Sequence, residues 1–67
     1  MPPRSMKVRE VMRLLERDGW RLVRTTGSHR QFQHGVKQGT ITVSGNLGTD
    51  MPLGTLRSIL KRAGVAK

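Results

Sequence analysis

The stretch Thr25-Thr26-Gly27-Ser28-His29-Arg30-Gln31-Phe32 gathers residue types that move protons and bind anions. His29 has Ser28 beside it and Arg24 and Arg30 on its flanks. An ordinary imidazole, with a pKa of about 6.5, takes or gives a proton near neutrality. Guanidinium groups stabilise negative charge that develops on a phosphate. RNA carries its own nucleophile, the 2′-hydroxyl next to the scissile phosphate. Its cleavage requires removal of that proton, stabilisation of charge on the phosphorane and departure of the 5′-oxygen. One histidine among arginines meets the first two requirements, and acid–base transfer of this kind contributes ~10²–10⁴-fold. The same residues also suit binding without cleavage, so a non-catalytic RNA-binding module is the alternative reading.

Other chemistries lack their residues. The chain has four carboxylates, and three of them, Glu10, Glu16 and Asp18, lie on or beside the first helical stretch. They read as helix solubility and intrahelical pairing, not as a cluster for magnesium-dependent phosphoryl transfer. His29 and His34 are five apart with no cysteine in the chain and no acid nearby, so no metal site and no cofactor is expected. His34 remains a candidate auxiliary group. There is no Walker-type phosphate loop and no GxSxG elbow.

Composition narrows the partner. Thirteen Lys and Arg against four Asp and Glu give a net charge of +9 in 67 residues, and the sequence pI is near 11.9. That exceeds the pI of roughly 9 above which a domain's charge reads as a nucleic-acid footprint. Eight of the thirteen cations fall between Arg4 and Arg30, interleaved with apolar residues. This pattern fits a folded basic surface better than a charged tail. Strong charge also favours a monomer. No apolar run approaches the ~18–20 residues of a membrane span, and the N-terminus lacks the apolar segment of a signal peptide. A soluble cytoplasmic protein is therefore expected.

The elements that would hold His29 follow from periodicity. Residues 1–5, with two prolines, form a lead-in expected to be disordered, in which Ser5 can cap a helix. A single domain is expected over 6–66. Val8, Val11, Met12 and Leu15 recur at helical spacing between Met6 and Asp18, and Gly19 stops the run. From Trp20 to Thr26 the pattern becomes a strand, with Trp20 and Leu22 on one side and Arg21, Val23 and Thr25 on the other. Trp20 is expected in the core. Gly27 shapes a tight hairpin turn. In the second strand, Ser28 to His34, Phe32 faces the core, so His29, Gln31 and Gln33 face the other way. Lys37 sits at the tip of the next turn, and Thr40–Val43 forms a β-branched third strand. A loop follows, then Asp50 as the cap of a closing helix carrying Leu53, Leu56, Ile59, Leu60 and Ala63.

The order is thus α-β-β-β-α, an α+β domain. Three sequential strands form an antiparallel meander, and both helices cover one face to bury their stripes. The other face, with His29, stays open. Candidate RNA contacts are Arg24, Ser28, Arg30 and Lys37.

Three segments carry a family resemblance: Met6-Lys7-Val8-Arg9-Glu10-Val11 leading to Gly19-Trp20; Arg24 through Phe32; and Gly54-Thr55-Leu56-Arg57-Ser58-Ile59-Leu60-Lys61-Arg62-Ala63-Gly64. Together they resemble the HicA toxin family along nearly the whole chain. The resemblance implies a double-stranded-RNA-binding-like fold and an mRNA interferase held inactive by a HicB-type antitoxin. It maps the family's catalytic histidine onto His29, with Gly27 and Ser28 shaping the turn. The chain departs from the family after the third strand, where Ser44, Gly45 and Asn46 replace a proline followed by a basic or histidine residue.

Overall fold

A computed structural model describes residues 6–65; the expected lead-in at 1–5 and its Ser5 cap lie outside the described residues. In chain order the elements are β1 (Met6–Lys7), α1 (Val8–Arg17), β2 (Trp20–Thr26), β3 (His29–His34), β4 (Thr40–Ser44), β5 (Asp50–Met51) and α2 (Leu53–Ala63). Strands β2, β3 and β4 form an antiparallel sheet in that order. The α+β architecture agrees with the sequence reading.

One apolar layer holds it together. Val8, Val11 and Leu15 from α1, and Leu56, Ile59 and Ala63 from α2, are buried against Trp20, Phe32, Ile41, Val43 and Met51. Both helices therefore cover the Phe32 face, and full burial of each large side chain there contributes about 1.5–3 kcal/mol. Trp20 is core, and its indole N–H donates to the Ala63 carbonyl at 3.3 Å.

Two ends differ from the sequence reading. Met6–Lys7 is extended, not helical, because it pairs antiparallel with Asp50–Met51. The helix starts at Val8, where the Glu10 carboxylate accepts the Lys7 N–H at 2.9 Å. Asp50 consequently does not cap α2. Its backbone belongs to β5, its Oδ1 lies 3.6 Å from Lys7 Nζ, and α2 starts at Leu53, behind Pro52 and without a side-chain cap.

The sheet contains a second surprise. Leu22 lies opposite Phe32, yet Arg24 lies opposite Gln31, so Val23 is one residue too many for its partner strand. This is a β-bulge. It reverses the alternation for the rest of β2: Thr25 falls opposite Arg30 on the helix side. Arg24, which strict alternation would send toward the helices, shares the open face with Gln31 and His29.

Candidate active site

His29 opens β3 directly after a two-residue hairpin loop, Gly27-Ser28, closed by the Thr26–His29 pair. Gly27 has φ +58°, and no non-glycine residue among those described has positive φ. Positive φ at the first loop position alone is the sign pattern of a type II′ turn, whose twist matches that of the flanking strands. The turn thus delivers the His29 side chain, exposed, to one end of the open face.

Across from it on β4 stands Ser44. His29 Nδ1 and Ser44 Oγ are 2.8 Å apart. Among the described residues, Nε2 has no hydrogen-bond partner. The open face continues from this pair through Thr26, Arg24, Gln31 and Thr42 by register. It is a polar surface with a histidine at one end and arginine on the neighbouring strand.

Arg30 lies on the opposite side. Its guanidinium Nη1 donates to the carbonyls of Gly45 at 2.8 Å and Ser28 at 3.2 Å. The Ser28 carbonyl also accepts the Gly45 N–H at 3.2 Å. Arg30 therefore ties the hairpin loop to the end of β4, next to His29 on one strand and Ser44 on the other. Ser28 contributes its carbonyl to that tie, and the residue as a whole is exposed at the turn.

Lys37 is not brought to His29. It sits beyond the far end of β3, a strand that runs about 17 Å from His29 to His34 at ~3.3 Å per residue. Its Nζ pairs with the Asp18 carboxylate and donates to the Ala63 carbonyl at 3.0 Å. The Lys37 ammonium holds the Asp18 carboxyl below the usual carboxylate range. Asp18 thus pairs across the fold and not within its helix. His34 belongs to the same cluster. Its Nε2 is 2.7 Å from the Asp18 carbonyl and its Nδ1 accepts the N–H groups of Val36 and Lys37. With Nδ1 accepting from two backbone N–H groups, Nε2 is the nitrogen that donates to the Asp18 carbonyl. Its ring meets Trp20 edge-on, centroids 5.3 Å apart.

Sequence reasoning missed Ser44 and the bulge. A family model described as "HicA toxin of bacterial toxin-antitoxin" matches residues 8–65. The chain belongs to the HicA toxin family. It is accordingly the toxin of a toxin–antitoxin system, and its partner is an antitoxin. A comparison with curated proteins returns no match. Within this HicA chain, no helix among the described residues is long and apolar enough to cross a membrane. No three potential metal-binding side chains come together among them.

Proposed function

We propose that this HicA toxin is a metal-independent endoribonuclease that cleaves mRNA with His29 as its general base. The observation that carries the reading is the exposed imidazole at the end of a polar sheet face, Nδ1 engaged and Nε2 unpartnered. Nε2 takes the proton of a ribose 2′-hydroxyl. The 2′-oxygen bonds to the adjacent phosphorus, the bond from phosphorus to the 5′-oxygen breaks, and the leaving oxygen takes up a proton from the imidazolium or from water. The products are a 2′,3′-cyclic phosphate and a 5′-hydroxyl.

Arg24, on the same face through the bulge, neutralises the phosphate. Ser28 contacts the strand at the turn. Arg30 and Lys37 are occupied by carbonyls and a carboxylate, and serve RNA by holding the scaffold. The free toxin is a monomer of one domain acting in the cytoplasm, where mRNA is found. A HicB-type antitoxin silences it by covering His29 or the basic face.

The test is a gel assay on single-stranded mRNA in excess EDTA, with wild type beside His29→Ala. Cleavage by wild type alone is expected, with products ending in a cyclic phosphate. RNA left intact by both, with binding retained, would reduce the chain to an RNA-binding module.

A further inference from the structure

We infer that Ser44 is the positioning residue of this site: its hydroxyl fixes the His29 ring with Nδ1 against β4 and Nε2 facing outward. The inference rests on the catalytic reading of His29 and adds to it the group that aims the base. An exposed imidazole otherwise turns about a broad, roughly two-fold ring torsion, exchanging the atoms it presents. Only one of those orientations offers Nε2 to a bound strand.

The backbone makes the pair unavoidable. Gly45 N–H donates to the Ser28 carbonyl, so those two residues form a hydrogen-bonded pair of the antiparallel ladder. The next pair along, His29 and Ser44, is then the non-hydrogen-bonded kind, with Cα atoms about 4.5 Å apart and side chains closest. Arg30 locks the flanking pair from behind by donating to both of its carbonyls. Short serine therefore reaches Nδ1 at 2.8 Å without a long side chain to order.

A hydroxyl oxygen accepts a proton donor and rotates at little cost. With the proton on Nδ1, Ser44 Oγ accepts it, and the Nε2 lone pair faces out. When Nε2 gains a proton, Nδ1–H stays where it was and Oγ still accepts. The ring thus keeps one orientation before and after proton uptake. The base form that offers an Nε2 lone pair is the Nδ1–H tautomer, whose proton Ser44 Oγ is placed to accept.

Nitrogen-15 NMR of His29, combined with steady-state cleavage of a short RNA, tests this. Wild type is expected to show the Nδ1–H tautomer, and Ser44→Ala a mixture of both tautomers. Losing one orienting hydrogen bond is expected to lower kcat by about 3- to 10-fold with KM unchanged. Ser44→Thr keeps the hydroxyl on a residue suited to strands, and should restore both tautomer and kcat. A Ser44→Ala protein with wild-type kcat would overturn the proposal while leaving His29 catalysis standing, whereas an Nε2–H tautomer in wild type would overturn both the role of Ser44 and Nε2 as the base. If wild type cleaves no RNA, the catalytic reading fails by itself, and the tautomer spectra still decide what Ser44 does to the ring.

Discussion

Arg30 donates to the Gly45 carbonyl at 2.8 Å from the side of the sheet opposite His29. A cation on the other face of the sheet from substrate acts on the site through the backbone. Hydrogen bonds from charged donors contribute about 1.5–3 kcal/mol, so Arg30→Ala should lower unfolding stability by about that much. The folded variant should bind RNA within about two-fold of wild type, since a single lost scaffold cation leaves the phosphate contacts intact. Urea titration and a filter-binding assay measure the two separately. A large loss of affinity with unchanged stability would mean that Arg30 leaves its carbonyls to meet RNA.

Arg24 should behave in the opposite way. It is exposed, and the bulge at Val23 turns it onto the face of His29. Arg24→Ala should leave stability within about 0.5 kcal/mol of wild type, as for other exposed substitutions. RNA affinity should fall, and the slope of log K against log salt should lose ~0.7, the value for one phosphate on a single strand. An unchanged salt slope would remove Arg24 from the RNA path.

This contrast shows what the sequence could and could not reveal. Helical stripes and the Phe32 pleat were legible because burial leaves a periodic record: Val8, Val11, Leu15, Leu56 and Ile59 are all core. The open face of His29 followed from that pleat. Ser44 was legible in principle. Pairing the apolar Phe32 with the apolar Ile41 sets a register that carries His29 onto Ser44. The bulge had no such signal, because Leu22 and Val23 are both apolar and both exposed, so neither marks the face change. Charge type alone also does not separate roles. Arg24, Arg30 and Lys37 look equivalent in the sequence, and tertiary hydrogen bonds distinguish them. Asp50 has the residue type of a helix cap, while a two-residue ladder with Met6–Lys7 claims its backbone.

Two glycines separate backbone strain from crowding. At Gly27, φ is +58° and a Cβ would meet nothing within 4 Å. Gly27→Ala should therefore cost ~1–2 kcal/mol from the left-handed backbone alone. A D-alanine placed there by chemical synthesis should be tolerated. At Gly19, φ is +103° and a Cβ would lie 2.8 Å from His34 Nε2, which is engaged with the Asp18 carbonyl. Gly19→Ala should cost more than Gly27→Ala, above about 2 kcal/mol, because strain and the displaced histidine add. Thermal melts of the two variants rank them, and an equal loss would show that His34 moves aside freely.

The Asp18–Lys37 pair predicts how stability depends on pH. Lys37 donates to the Asp18 carboxylate, and the same ammonium donates to the Ala63 carbonyl at 3.0 Å. One cation therefore joins the end of α1 to the end of α2. The favourable interaction exists only while the carboxyl is ionised, and the ammonium holds its folded pKa below the ordinary value. A folded pKa below the unfolded one, near 3.9 for aspartate, means that the unfolded chain binds the proton first as pH falls. The pair's contribution is thus fully present above about pH 5 and is lost progressively as pH falls through ~3.9 toward the folded value. Asp18→Asn keeps the side-chain shape without the charge. Its urea midpoint should lie below that of wild type at pH 6, and the two should converge toward pH 2. The difference between the two curves removes the contributions of the remaining carboxylates. Curves that stay parallel across this range would show that Lys37 stabilises the fold through the α2 carbonyls alone.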